Sequence, residues 1–199
     1  MLLAVSCICA QNYKPTIRFA VIADRTGGEQ KGIFEQTLKQ AQTLSPDFMI
    51  GIGDMIEGYT TDVQYLNEMW DEFEGIKSQI KAPFYSVPGN HDCTNDIMVQ
   101  EWLKRWGYMY KYMYVDGHLF WLLNTEENGD LSAEQIAYFE KSLENLPRDK
   151  WVYIFMHRPL WKENRANGYM KLKKVLKDRK NVVVFSGHEH YYLKNTVEV

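Results

Sequence analysis

The amino-acid sequence predicts an α/β fold in one domain, and three observations lead there. Short apolar runs alternate with longer segments whose apolar residues recur at helical spacing. Five of these runs end in a residue able to ligate a metal. The chain of 199 residues shows no internal repeat, low-complexity tract or linker rich in Pro, Gly or Ser, so one sizeable core is the better count than two small ones.

Taken in order, Ile17 to Ala23 is the first apolar run and breaks at Asp24-Arg25-Thr26-Gly27-Gly28, a short strand entering a glycine turn. Gln30 to Leu44 sets Ile33, Phe34, Thr37, Leu38, Ala41 and Leu44 on one helical face, and Ser45-Pro46-Asp47 stops it. Phe48 to Ile52 is the second buried strand and ends in Gly53-Asp54. Thr61 or Asp62 caps a helix carrying Val63, Leu66, Met69, Trp70, Phe73, Ile76 and Ile80. Phe84 to Val87 is the third strand, and a helix from about Asp96 to Trp106 follows.

Lys111 to Leu123 differs in kind, because two strand-like segments flank Asp116-Gly117, a strong hairpin signal. Ser132 and Gln135 have capping-box spacing at the head of a helix with Ile136, Phe139, Leu143 and Leu146 inward. Trp151 to Met156 is a strand ending in His157-Arg158-Pro159, Arg165 to Arg179 is helical, and Val182 to Phe185 is the last buried strand.

A net charge of -3 argues against a partner held by bulk positive charge, such as a nucleic-acid backbone. The lysines between Lys171 and Lys180 read as a solvated helix face. Residues 1–14 read as a leader: Leu2 to Ala10 is apolar but too short to span a bilayer. Ala4-Val5-Ser6-Cys7 loosely matches a lipoprotein box, which makes Cys7 the candidate for a lipid anchor and an extracytoplasmic location the expectation. Past the leader only Cys93 remains, so no intrachain disulfide can form there.

The chemistry sits at the strand ends. Pro88 and Gly89 turn the chain after the third strand and present Asn90, His91 and Asp92. An amide oxygen ligates a hard metal, an imidazole donates a proton, and a carboxylate orients the imidazole. The other strands end in Asp24, Asp54, His157, and the pair His188 and His190. Parallel strands joined by helices bring such ends to one edge, where ligands bind in open α/β sheets. A nitrogen and oxygen set without sulfur suits Mn, Fe, Zn, Co or Ni, and six ligands suit two divalent ions. Two ions against two carboxylates leave a positive site that attracts a phosphate ester and stabilises displacement at phosphorus.

Asp24, Gly53-Asp54, Gly89-Asn90-His91-Asp92, His157 and Gly187-His188-Glu189-His190 together resemble the signature of calcineurin-like metallophosphoesterases. The resemblance implies a four-layer αββα sandwich with two mixed sheets flanked by helices, and a dinuclear metal centre. It also implies roles by position: Asp54 bridges the ions, Asn90, His157 and His188 complete one, and Asp24 and His190 serve the other. His91 becomes the general acid for the leaving oxygen or stabilises the transition state, with Asp92 orienting it, and a metal-activated water or hydroxide attacks phosphorus in line.

This sequence departs from that pattern at one position. The family usually carries Asp-x-His first, whereas here it reads Asp24-Arg25-Thr26. A threonine hydroxyl is the weaker ligand, so the Asp24 ion is expected to be looser. Arg25, Thr26 and Arg158 are the candidate substrate-binding residues, the arginines by pairing with phosphate. Only nine residues follow His190, from Tyr191 to Val199, so the expectation is either a compact, C-terminally shortened version of the fold or a fragment of a longer one. The resulting reading is a phosphohydrolase acting on a small phosphorylated substrate. The competing one is a metal- or phosphate-binding module with little catalysis, motivated by Thr26.

Overall fold

The computed structural model describes residues 17–162 and 167–195. The leader, and with it Cys7, lies outside the described residues. Among the described residues, seven strands fall into two sheets. The first is β1 (Phe19–Ile22), β2 (Phe48–Gly51) and β3 (Phe84–Ser86), in that spatial order and parallel throughout. The second is β4 (Lys111–Val115), β5 (His118–Leu122), β6 (Val152–Met156) and β7 (Val182–Ser186). In it β4 and β5 are antiparallel while β5, β6 and β7 run parallel. The second sheet is therefore mixed as expected, and the described part of the first is not.

Side-chain alternation along the strands explains how the sheets stack. In β2, Phe48 and Ile50 point one way and Met49 the other; in β5, Phe120 and Leu122 oppose Leu119 and Trp121. Phe48, Ile50, Ile52, Val87, Phe120, Leu122 and Phe155 form a core between the two sheets, tied by Phe19, which sits 5.3 Å edge-to-face on Phe120. On the far side of the first sheet pack α1 (Ile33–Thr43), α2 (Val63–Lys77) and α3 (Asp96–Trp106), centred on the fully buried Trp70, Phe73 and Trp102. On the far side of the second pack α4 (Ala133–Ser142) and α5 (Asn167–Leu176), through Phe139, Leu172 and Leu176. Helix, sheet, sheet and helix give the four layers. Each large side chain fully buried in them contributes about 1.5–3 kcal/mol.

Local chemistry sets the element ends. Asp62, not Thr61, caps α2 by accepting from the amides of Gln64 and Tyr65. Asp116 and Gly117 both take positive φ, 49° and 76°, so the β4–β5 hairpin turns as its sequence demands. The capping box at α4 is only half made. Ser132 accepts from the Gln135 amide, but the Gln135 side chain is fully buried and pairs with the backbone of Asn124 on both its oxygen and its nitrogen. Gln135 therefore anchors the loop after β5 rather than the helix start. Helix α5 ends at Leu176, three residues before the Arg179 that the pattern suggests; residues 163–166 are not among the described residues. No described helix is long and apolar enough to cross a membrane.

Candidate metal centre

The parallel strands of both sheets deliver their C-terminal ends to one edge, and all six of the expected ligands meet there. His157, at the end of β6, is fully buried. Its Nδ1 lies 2.9 Å from the Ile52 carbonyl, which can only accept, so Nδ1 carries hydrogen and Nε2 faces the site. Around Nε2 stand Asn90 Oδ1 at 2.9 Å, His188 Nδ1 at 3.1 Å and Asp54 Oδ2 at 3.2 Å. Four atoms able to present lone pairs converge on one point, and such a cluster needs a proton or a cation to hold it together.

A second cluster adjoins the first through Asp54. Asp24, Asp54 and His190 offer ligand atoms within 4.8 Å of one another, as do Asp54, His157 and His188. Asp24 Oδ2 accepts from the His188 amide at 2.7 Å and lies 3.4 Å from His190 Nε2. Its Oδ1 is buried and has no hydrogen-bond partner among the described residues. A buried, unpartnered carboxylate oxygen fits a cation. The two groups of donors therefore adjoin one another, with Asp54 common to both.

Strained turns aim these groups. Asp54, His188 and His190 all take positive φ, at 59°, 73° and 51°, a conformation non-glycine residues adopt only when surrounding structure imposes it. The motif glycines make room for ligands from other motifs. A Cβ on Gly89 would stand 2.2 Å from Asp54 Oδ1, and one on Gly187 would stand 2.1 Å from Asp24 Oδ1. The glycines of Gly-Asn-His-Asp and Gly-His-x-His are thus required by the carboxylate each lets in.

Asp92 corrects the expectation placed on it. It does not touch the His91 ring. Its Oδ1 accepts from the amides of Met55 (2.8 Å) and Ile56 (3.3 Å), and Oδ2 from those of Asp54 (2.8 Å) and Gly89 (2.9 Å). Asp92 pins the loop after β2 to the loop after β3. His91 is oriented instead by the Glu57 backbone carbonyl, 2.8 Å from its Nδ1. That carbonyl requires hydrogen on Nδ1, which leaves Nε2 to do chemistry. A Cβ on Gly27 would be 3.7 Å from His91 Nε2 and 2.6 Å from His190 Cε1, so both rings border the same small space.

Thr26 and Arg25 also depart from expectation. The Thr26 hydroxyl lies within hydrogen-bond reach of the carbonyls of Ile56 (2.9 Å) and Asp54 (3.1 Å), which turns it into the scaffold. Arg25 is buried against Glu72 (2.9 Å), Glu29 (3.2 Å) and the Met55 carbonyl, behind the centre rather than in it. The reason is common to both: after β1 the chain hydrogen-bonds back to the Asp54 carbonyl through the Arg25 and Thr26 amides, which turns these side chains toward α1 and α2. Arg158 does reach the centre. Its NH1 lies 3.3 Å from His188 Nε2, and its other nitrogens grip Glu126 Oε2 at 2.9 and 3.0 Å.

Glu126, Tyr59 and the Glu57 carbonyl escaped sequence reasoning. The signal for Glu126 was present: β5 is a sixth apolar strand, and it too ends in polar residues, Asn124-Thr125-Glu126. Tyr59 left no such trace. Its hydroxyl lies 2.6 Å from Asn90 Nδ2 and its ring meets that of His91 edge-to-face at 4.6 Å. Among the remaining residues, Cys93 is the small buried thiol its position suggests, and Trp102 and Trp106 stack on each other in the core. His118 Nδ1 accepts the Trp151 amide across the sheet.

The electrostatics favour a bound cation. Burial raises the Asp24 carboxyl above its ordinary value, against the opposing charge of His157 and the His188 amide. Burial would also raise Asp54, but the hydrogen bond and charge of His157 and the His91 amide outweigh it and hold Asp54 low. Burial works to lower His157, yet Asp54 and Asp24 raise it to about 9. Burial, followed by the charges of His157 and Arg158, lowers His188 and keeps it a neutral donor. In the metal-free chain a proton on His157 thus takes a cation's place.

The sign of its linkage to stability is definite. A histidine raised from 6.5 to about 9 contributes fully below pH 6.5, and its contribution is lost as pH rises through 9. The unfolding temperature of the metal-stripped chain is expected to fall by roughly 5–10 °C between pH 6.5 and 9.5. Metal-loaded chain is expected to show no such fall in that window. Scanning calorimetry with and without a chelator checks this, and a level profile for the stripped chain would contradict it.

Comparison with known proteins agrees with this geometry. The model for "Calcineurin-like phosphoesterase" matches residues 17–192. The chain belongs to that family. It is 27% identical over 168 residues to a "Probable glycerophosphodiester phosphodiesterase GpdQ" of Arcobacter nitrofigilis, a match covering 73% of this chain and 57% of the relative. The chain thus spans a little over half the length of that curated relative. Among solved structures it superposes on a dimetal phosphatase from Danio rerio with a TM-score of 0.64 and 14% identity, covering 89% of this chain and 82% of that one. At that identity the likeness concerns the fold. In this calcineurin-like phosphoesterase Thr26 is a scaffold clip, its hydroxyl set on the carbonyls of Asp54 and Ile56.

Proposed function

We propose that this chain hydrolyses phosphate esters at a centre of two divalent metal ions. One observation carries the reading: Asp54, Asn90 and His188 converge on His157 Nε2, while Asp24 leaves a buried oxygen unpartnered beside them. Asp54, Asn90, His157 and His188 hold one ion, and Asp24, Asp54 and His190 the other. When bound, divalent cations of the Mn, Fe, Zn, Co or Ni class supply charge at the phosphoryl oxygens and activate water at neutral pH.

The chain's own residues do the rest. Arg158, steadied by Glu126, adds positive charge beside His188 where phosphoryl oxygens bind. His91, held at Nδ1 by the Glu57 carbonyl, presents Nε2 to protonate the leaving oxygen. The printed name of the Arcobacter relative supports small glycerol-based phosphodiesters as the first substrates to try. The leader pattern supports an extracytoplasmic location.

Turnover of bis-p-nitrophenyl phosphate and p-nitrophenyl phosphate with added Mn²⁺ tests this. His91→Ala is expected to lower kcat by about 10²–10⁴-fold while bound metal stays unchanged. Undiminished turnover in that variant would remove His91 as the proton donor. A wild-type chain that binds metal but hydrolyses neither ester supports a binding module instead, a reading favoured only by the loss of a ligand at Thr26.

A further inference from the structure

We infer that Tyr59 is a positioning residue of the centre, holding the Asn90 amide through its hydroxyl and the His91 ring through its own. The inference rests on the two-ion reading above and adds a residue to it. Tyr59 is bound to two neighbours that matter, on two different parts of its side chain. Its hydroxyl lies 2.6 Å from Asn90 Nδ2, on the side of the amide away from the oxygen that faces His157 Nε2. The amide is thus clamped across its width, its oxygen toward the ion and its nitrogen on a phenol. The Tyr59 ring stands edge-on to His91, with centroids 4.6 Å apart and planes at 75°.

Backbone geometry supports a selected role. Tyr59 takes φ of 48°, a left-handed conformation unfavourable for an aromatic residue, and its ring is more than half exposed. Neither core packing nor solvation explains an exposed tyrosine held in a strained turn. The turn is forced from both sides. Gly58, at φ 61°, lies so close under the His91 carbonyl that a Cβ would stand 1.6 Å from its oxygen, and Asp92 pins the loop upstream at Met55 and Ile56. These contacts deliver the tyrosine hydroxyl to the Asn90 amide, which donates to it, and the tyrosine ring to His91.

Groups that orient a metal ligand from behind typically set metal affinity by 10–100-fold. Tyr59→Phe removes the hydroxyl and keeps the ring, whereas Tyr59→Leu removes both. Because the site is exposed, neither is expected to shift the unfolding temperature of the metal-free chain. Mn²⁺ titration of the full chain by calorimetry, with the two binding steps resolved, gives the direct readout. Tyr59→Phe is expected to weaken one Mn²⁺, that of Asn90, by about tenfold and leave the other unchanged. Tyr59→Leu is expected to repeat that loss and, at saturating Mn²⁺, to lower kcat on bis-p-nitrophenyl phosphate beyond Tyr59→Phe.

Unchanged affinity at both steps in Tyr59→Phe, with a wild type that binds Mn²⁺, overturns the Tyr59 assignment alone. Equal weakening of both steps overturns it too, since a clamp on Asn90 acts on one ion. A wild-type chain that takes up no Mn²⁺ overturns the two-ion function and this inference with it.

Discussion

Asp92→Ala is expected to destabilise the fold by about 3–5 kcal/mol, a fall in unfolding temperature of roughly 10 °C or more. The side chain is fully buried and accepts four backbone amides, from Asp54, Met55, Ile56 and Gly89. Removing it leaves those donors unsatisfied in a place closed to solvent. Asp92→Asn is expected to be damaging too, because it turns an NH₂ group toward backbone N–H donors. Burial pushes the Asp92 carboxyl up to about 7, with the Asp54 charge adding to it and the amides opposing. The amides it holds favour the anion, while burial and the Asp54 charge oppose it. Scanning calorimetry of both variants checks the prediction. Unchanged unfolding temperatures with a purely kinetic defect would instead return Asp92 to the role of orienting His91.

Asp54→Asn is expected to lower turnover by roughly 10³-fold or more and to cut bound metal from two ions to one or fewer. The substitution keeps size and removes the one charge shared by both halves of the centre. Asp54 Oδ2 faces His157 Nε2 at 3.2 Å, and Oδ1 is held by the His91 amide at 2.9 Å. Elemental analysis of purified protein, with near-UV circular dichroism to confirm folding, separates loss of metal from loss of structure. Wild-type metal content and turnover in this variant would refute Asp54 as the bridging ligand. The two variants separate neighbouring carboxylates, one expected to fail in stability and the other in metal binding, although both lie at the same strand ends.

That division was only half legible in the sequence. Asp54 and Asp92 both follow an apolar strand and a glycine, and pattern alone cannot say which carboxylate faces the ions. Asp92 loses that place because the loop after β2 folds over it and offers amides 36 to 38 residues away in sequence. Arg25 and Thr26 were misassigned for the same reason. Their backbone amides bond to the Asp54 carbonyl, a partner no local pattern reveals, and the side chains are buried away from the centre as a result. Arg158 kept its place because Glu126, buried at the end of β5, holds it there.

Alternation of apolar and polar residues dictates most of the architecture. Period two in the strands sends Phe48, Ile50, Phe120 and Leu122 between the sheets and Met49, Leu119 and Trp121 under the helices. Helical spacing, the Asp116-Gly117 turn and the Asp62 and Ser132 caps settle where elements start and stop. The same chain order places Asp24, Asp54, Asn90, His157, His188 and His190 at strand ends, so the candidate ligand set is legible. Which polar side chains then face the ions, and which brace the loops, is decided by contacts between distant segments. Buried backbone amides and carbonyls must find partners wherever the packed chain brings them, and at this edge their partners are Asp92 and Thr26, while the Glu57 carbonyl takes the His91 ring. Tyr59 belongs to that second category: nothing in its neighbourhood along the chain marks it, and only the folded turn sets its hydroxyl on Asn90.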